Sequence, residues 1–302
     1  MDQPVYHIPA LLTQTIESLD IKPDGIYVDA TFGGGGHSRA IVKKLSEDGK
    51  LYSFDQDEDA VKRAFKDPRF AIVYGNFRFM SNFLRYYGVS HVDGVMADLG
   101  VSFHHFDDQE RGFSFRSNGR LDMRMNQHAR LTAADILREY SEARLADIFY
   151  LYGELRQSRR LATAIIKART SKNIETVDEL IAVCKPFISP QKEKKELACV
   201  FQALRIEVNG ELDALKSFLE QCADVLKPGG RLAILTYHSL EDRMVKNFMR
   251  NGNFSGEAEK DFFGRTNSPF KPLGSKPICP NEDEIAANPR SRSAKLRVAV
   301  RI

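Results

Sequence analysis

The chain has few cysteines and none of them are paired in sequence. Its four, Cys184, Cys199, Cys222 and Cys279, are widely spaced and make no C-x-x-C. That spacing argues against zinc and against a disulfide framework, and for a reducing compartment. No apolar run approaches the roughly 20 residues that span a bilayer. The first residues, Met1-Asp2-Gln3-Pro4-Val5-Tyr6-His7, lack a basic region and a long apolar run, so no signal peptide is expected. No internal repeat stands out. Excess charge is also missing: the net charge is +3, so any nucleic-acid surface has to be a local patch. These absences predict a cytoplasmic protein with no membrane partner. What is present, 302 residues with 42% apolar and 28% charged, is a globular composition. It suits about two domains with cores that need no staples.

One stretch organises the chain: Tyr27-Val28-Asp29-Ala30-Thr31-Phe32-Gly33-Gly34-Gly35-Gly36-His37-Ser38. An apolar strand runs into four consecutive glycines, and a helical pattern follows from Ser38. Glycine removes Cβ, so backbone can approach a ligand closely and φ can be positive. The helix start beyond it offers unpaired N–H groups. A tight βα turn needs only one or two glycines, so four favour a binding loop of the kind open α/β sheets use for nucleotide-like cofactors.

Strand patterns at 26–32, 51–54, 70–74 and 92–97 alternate with helical stretches at about 37–45, 58–65 and 80–87. This alternation predicts a parallel, doubly wound sheet. A first helix is expected within 7–21. The alternation then stops. Residues 105–125 read as loop, and helical spacing prevails from 132, with a Thr176/Glu179 capping box. A helix over 211–226 returns to the sheet, stopped by Lys227-Pro228-Gly229-Gly230. A strand over 231–237 and a helix over 240–250, capped by Ser239, follow. Residues 252–290 hold five prolines and little periodicity, which predicts a long loop or flap. Residues 296–302 alternate and form a final antiparallel strand. The expected domains are 1–105 with 211–302 as the core, and 106–210 as a helical insertion.

Asp55 ends the second strand, 20 residues past Gly35. A carboxylate there can accept both hydrogen bonds of a ribose diol. A helix N-cap is the alternative; the glycine loop upstream favours ribose. The dinucleotide fingerprint G-x-G-x-x-G fails, because its third glycine falls on Ser38 or Arg39. No arginines cluster near the loop for a pyrophosphate. S-adenosyl-L-methionine has a ribose and no phosphate, and it becomes the expected cofactor. Phe77, just past the third strand, can pack on the adenine or serve as a core aromatic. Asp98 ends the fourth strand at the carboxyl edge where such sheets bind ligands. It can hold the methionine ammonium or accept a hydrogen from a substrate amine. Methylating an exocyclic amine needs alignment and acceptors for the amine hydrogens. Asp98 and Ser102 are the catalytic candidates; a plain loop hydroxyl is the alternative for Ser102. Methyl transfer from a sulfonium needs no metal, and no metal ligands are expected; a metal requirement stays open, as does the catalytic base.

Several further motifs occur in fixed order: Asp98-Leu99-Gly100-Val101-Ser102, Glu110-Arg111-Gly112-Phe113-Ser114-Phe115, Leu121-Asp122-Met123-Arg124-Met125, Phe201-Gln202-Ala203-Leu204-Arg205-Ile206, Tyr237-His238-Ser239-Leu240-Glu241-Asp242-Arg243 and Asn288-Pro289-Arg290-Ser291-Arg292-Ser293. Together with the glycine loop, from about His7 to the end, the chain resembles the bacterial RsmH (MraW) family. That resemblance implies a Rossmann-like class I methyltransferase core with an inserted helical domain. It also implies methylation of the N4 amine of a cytidine in small-subunit ribosomal RNA. By it, Gly35, Gly36, His37, Asp55, Phe77 and Asp98 match cofactor-contacting positions. The chain departs from the family's usual pattern at His105, where a cofactor-contacting glutamine is common, and at Phe103, where serine is common. His105 can still make one hydrogen bond. Gly34 replaces a basic or polar residue, a harmless change.

Two basic clusters can meet RNA phosphates. Arg156, Arg159, Arg160, Lys167, Arg169 and Lys172 crowd the insertion, where a solvated helix face is the alternative. Arg290, Arg292, Lys295, Arg297 and Arg301 crowd the C-terminus with no acid among them. His238 faces the same sheet edge as a substrate contact or an internally satisfied residue. Phe103, Phe113 and Phe115 can stack on an extruded base or plug the insertion's core. The expected partner is small-subunit ribosomal RNA, free or in the assembled subunit. The oligomeric state, a dimer included, stays open. The rival functions are a DNA or small-molecule methyltransferase, and a non-catalytic RNA-binding protein on a methyltransferase fold.

Overall fold

The structure, a computed structural model, describes residues 9–100, 108, 110–258 and 268–302. The chain divides into two compact units, residues 1–100 with 212–302, and residues 101–211. No helix among the described residues is long and apolar enough to cross a membrane.

The first unit is a seven-stranded mixed sheet with flanking helices, a Rossmann-like α/β fold. Its strands are β1 (Ile26–Asp29), β2 (Lys50–Asp55), β3 (Phe70–Tyr74), β4 (Val92–Asp98), β5 (Leu226–Thr236), β6 (Phe270–Pro272) and β7 (Lys295–Arg301). The order is β3-β2-β1-β4-β5-β7-β6. Strands β1 to β5 pair in parallel, and β7 lies antiparallel to both β5 and β6. The order reverses between β1 and β4, so the carboxyl ends of those two strands flank a crevice.

The helices of this unit are α1 (Leu12–Ser18), α2 (Gly36–Val42), α3 (Glu58–Lys62), α4 (Met80–Tyr86), α10 (Glu211–Val225, which begins at the unit boundary), α11 (Ser239–Asn251) and α12 (Glu282–Ala287). The intervening numbers α5 to α9 belong to the second unit. Central strands read as apolar runs because both faces are covered. In β4, Val92, Val95, Met96 and Ala97 are wholly buried. One face packs Val28, Phe54, Val95 and Ile234 against Leu215, Phe218, Leu219 and Val245. The other packs Tyr27, Leu51, Met96 and Leu235 against Leu11, Ile41 and Leu45.

Three local departures from the sequence reading have physical causes. The register slips between Val92 and Gly94, so Leu226 already pairs with Val92 and Lys227-Pro228-Gly229-Gly230 bulges from the ladder. The helix-stopping turn therefore lies inside β5. His238, not Ser239, caps α11. Its Nδ1 accepts from the Glu241 N–H at 3.4 Å, and the Glu241 carboxylate accepts back from the His238 N–H. The segment read as one long loop holds β6, a bridge between Ile278 and Leu296, and α12 with its Asn281 cap. Prolines at 269 and 272 sit where an edge strand tolerates them.

The second unit is helical: α5 (Ala133–Glu139), α6 (Glu142–Leu151), α7 (Ser158–Ser171), α8 (Val177–Cys184) and α9 (Glu193–Asn209). Capping boxes at Thr132/Asp135 and Thr176/Glu179 start α5 and α8. Leu145, Ile148, Phe149, Leu180, Val200, Phe201 and Leu204 fill one core. Phe113 is buried in it, and Phe115 meets the Phe201 ring edge-on at 6.1 Å, so both aromatics plug this core.

Candidate cofactor and active site

The glycine loop is shaped by close approach. Gly33 and Gly35 have φ of 51° and 74°. A Cβ on Gly35 would lie 2.7 Å from the Phe32 ring, and one on Gly36 would lie 2.2 Å from Pro9. Gly34 has open space around it. The loop is tied down at its start by two adjacent N–H groups. Phe32 N–H donates to the Phe54 carbonyl at 2.8 Å, and Gly33 N–H donates to Asp55 Oδ2 at 2.8 Å.

Three strands, β1, β2 and β4, each end in an aspartate: Asp29, Asp55 and Asp98. Asp29 is fully buried. Its Oδ1 accepts from Thr31 N–H at 3.0 Å, and its Oδ2 accepts from the Ser38 hydroxyl at 2.6 Å. The Ser38 hydroxyl also lies 2.8 Å from that of Ser53. Burial pushes the Asp29 carboxyl up to about 7, against those hydrogen bonds. Asp29 therefore locks the start of the loop to the first turn of α2. Sequence reasoning quoted Asp29 without assigning it a role; the shared strand-ending position was the signal.

Asp55 is half-buried, and burial pushes its carboxyl up to about 6. Its Oδ1 accepts from Asp57 N–H and its Oδ2 from Gly33 N–H. The cap of α3 is Asp57, whose Oδ1 accepts from Asp59 N–H at 3.0 Å. The helix-cap alternative for Asp55 thus goes to its neighbour. The Gln56 N–H also acts to lower the Asp55 carboxyl, and a carboxylate with about four acceptor sites keeps capacity for a further donor. Phe77 opens a short 3-10 turn past β3 and meets Phe218 edge-on at 5.2 Å, half-buried against the sheet's core.

Asp98 lies beside the loop. Its N–H donates to the Thr31 hydroxyl at 2.6 Å, and its Oδ1 accepts from the Tyr237 hydroxyl at 2.7 Å. His37 Nδ1 is 3.7 Å from its Oδ2. Burial pushes the Asp98 carboxyl up to about 7, partly offset by the Tyr237 hydrogen bond. Burial pushes the His37 imidazole down to about 4, so it is neutral at pH 7. His37 is 5% exposed, and its Nε2 has no hydrogen-bond partner among the described residues. Once ionised, a desolvated carboxyl beside a neutral histidine can receive a cation. Tyr237 was missed because nothing in its spacing separates it from a core tyrosine.

Of the C-terminal basic residues, three have internal partners. Arg297 donates to Asp242 at 2.6 and 3.1 Å, and Arg301 donates to the Ala223, Pro269 and Ile302 carbonyls. Lys295 lies 3.4 Å from Asp242. The acid absent from the local sequence comes from α11. Arg290 and Arg292 are exposed on a 3-10 turn, Pro289–Ser293. His238 is half-buried in its cap. In the insertion, Arg169 donates to the Leu137 and Tyr140 carbonyls and Lys172 pairs with Glu179. Ser102, Phe103 and His105 lie outside the described residues.

Comparison with known proteins gives a consistent set. The model of the MraW methylase family matches residues 4–302. A protein of Bacteroides fragilis (strain YCH46) named Ribosomal RNA small subunit methyltransferase H is 58% identical over 298 residues, covering 99% of this chain and 98% of that one. Proteins with the same name from Parabacteroides distasonis and Phocaeicola vulgatus are 59% and 60% identical; each comparison covers 98% of this chain, and 98% and 97% of the relative.

Proposed function

The chain belongs to the MraW methylase family, whose members are S-adenosylmethionine-dependent methyltransferases, and from that premise we propose that it methylates the N4 amine of a cytidine in small-subunit ribosomal RNA. The observation that carries the substrate class is the shared name of relatives 58–60% identical over nearly the whole chain. The family's implied chemistry carries the atom.

The residues present suit the cofactor. Asp55 has spare acceptor capacity for a ribose diol. Among the described residues His37 Nε2 lacks a partner, and it and the desolvated Asp98 carboxyl suit the cofactor's polar amino-acid end; Gly35 and Gly36, fitted against Phe32 and Pro9, hold the loop beside them. Phe77 offers its ring at the adenine end, and His105 is assigned the remaining contact. When bound, S-adenosylmethionine supplies a methyl group on a sulfonium centre. The chain's task is to align the amine and accept hydrogen bonds from it, since the nitrogen loses one proton as it gains the methyl group. We assign hydrogen-bond acceptance from the amine to Asp98 and Ser102; Asp98, paired with the ammonium, stays ionised, and the released proton passes to solvent. Residues 1–105 with 211–302 act as the methyltransferase core, and 106–210 position the RNA. Arg290, Arg292, Lys295 and His238 contact it, the two exposed arginines through phosphates.

Two measurements test this reading. Ribosomal RNA from a strain lacking the protein is expected to lose one N4-methyl group on cytidine; normal nucleoside mass spectra overturn the assignment. Asp55→Ala is expected to weaken S-adenosylhomocysteine binding about tenfold or more, as loss of hydrogen bonds to a charged acceptor implies. Unchanged affinity by calorimetry removes the ribose role.

A further inference from the structure

Asp98 carries two requirements in the reading above: it must be in position, and it must be ionised when a cation arrives. The hydrogen bonds around it are unequal. Oδ1 takes the Tyr237 hydroxyl at 2.7 Å, whereas Oδ2 faces His37 Nδ1 at 3.7 Å, beyond hydrogen-bond range. Among the described residues one oxygen is held and the other is not. We propose that Tyr237 is a positioning residue of the methyl-transfer site: its hydroxyl fixes one oxygen of Asp98 and turns the other toward the ligand.

The fold makes a specific place for this tyrosine. It directly follows β5, whose pairing with β4 sets Asp98 opposite Leu235. Its N–H donates to Glu241 Oε2 at 3.0 Å, which ties it to the first turn of α11. Gly100 has a φ of 107°, and a Cβ there would lie 3.2 Å from the Tyr237 ring. The glycine of Asp98-Leu99-Gly100 therefore gives the ring its path to the carboxylate. The titratable groups that face the pair come from four elements. His37 on α2 is neutral, Asp29 ends β1, Glu241 lies on α11, and Glu284 on α12 acts on Tyr237. Asp29, Glu241 and Glu284 disfavour added negative charge. Among the described residues, Tyr237 is the group that donates to the Asp98 side chain, and burial together with Asp98 holds its own proton on firmly. It is therefore a fixed donor.

This inference rests on Asp98 as the partner of the cofactor's ammonium, and the test separates the two. S-adenosylhomocysteine binding is measured by calorimetry from pH 5.5 to 8.0 in the full chain. In the parent, affinity rises as Asp98 ionises and levels off above neutrality. Tyr237→Phe keeps the ring but removes the donor, so the carboxyl ionises later. The rise is expected to move up by about one pH unit, with roughly tenfold weaker binding at pH 6.0 and convergence toward the parent at pH 8.0. A role confined to packing would lower affinity equally at every pH. Asp98→Asn is expected to flatten the profile. If it leaves the rise intact, Asp98 is not the ammonium's partner and the inference falls with it. If Asp98→Asn flattens the profile while Tyr237→Phe follows the parent, or runs parallel below it, Asp98 stands and Tyr237 does not. Should Tyr237→Phe fail to fold, site-specific 3-fluorotyrosine at 237 serves instead. It is a stronger donor of the same shape and is expected to move the rise to lower pH; an unmoved rise overturns the inference.

Discussion

At the scale of single residues, four consecutive glycines have separate jobs. Gly35 needs a left-handed backbone and sits against Phe32; Gly36 needs the space that Pro9 closes; Gly34 needs neither. Gly35→Ala adds a left-handed penalty of about 1–2 kcal/mol and a ring clash. Gly36→Ala pushes Pro9 away from the loop. Both are expected to lose cofactor affinity, and Gly34→Ala to change it little, by calorimetry with S-adenosylhomocysteine. Comparable losses at all three positions would mean the loop is sensitive to bulk in general. The run of glycines was legible in the sequence; its division of labour was not, because Phe32 and Pro9 reach it through the fold. Asp55 and Asp98 were legible because each ends an apolar strand. Asp29 ends one too, but its partners Ser38 and Ser53 emerge only when the strands align. Position alone does not separate the role of a strand-ending carboxylate from that of a buried anchor.

At the scale of elements, strands and helices with a clear period were legible to within a few residues, and the C-terminal segment was not. There α12 and β6 are too short to show a period. Their support is remote: Glu284 on α12 accepts the Leu11 N–H at 2.6 Å, where Leu11 has a φ of 50° at the entry to α1. A contact across 273 positions has no local signature. The same distance misled the charge reading. Five basic residues near the C-terminus read as one RNA patch, yet α11 brings Asp242 to Arg297 and Lys295. The two kinds of arginine are expected to separate experimentally. Arg297→Ala costs about 2 kcal/mol of stability, less than a fully buried pair because Lys295 remains beside Asp242. Arg292→Ala leaves the unfolding midpoint in urea unchanged and lowers the salt dependence of binding to small-subunit ribosomal RNA by about one ion. If Arg292→Ala destabilises the fold, or leaves the salt slope untouched, it is not a phosphate contact.

At the scale of the whole molecule, the site sets a cost that the fold as a whole carries. Asp29 and Asp98 are pushed up to about 7 and Asp55 to about 6, each first by burial. A carboxyl whose folded pKa lies above its unfolded value, about 4, binds its proton more tightly in the native state. Over that window the native state holds more protons, so stability falls as pH rises. His37 acts in the opposite sense. Its imidazole is pushed down to about 4, so its contribution is lost as pH falls from about 6.5 toward 4. Three carboxyls oppose one histidine up to about pH 6, and Asp29 and Asp98 act almost alone from about 6.5 to 7. The acids held low by ion pairs, such as Asp67 and Glu179 at about 2, act only below this window. The ligand-free protein is therefore expected to melt several degrees lower at pH 8 than at pH 6, since about 1 kcal/mol moves a chain of this size by roughly 2–4 °C. Asp29→Asn, which removes one of the three raised acids, is expected to make that slope shallower. Saturating S-adenosylhomocysteine is expected to do the same through the cation it sets beside Asp98. Calorimetric melting across pH 5.5–8.5 checks all three curves. A parent whose melting temperature climbs from pH 6 to pH 8 would show that the strand-ending carboxyls are already ionised in the empty site.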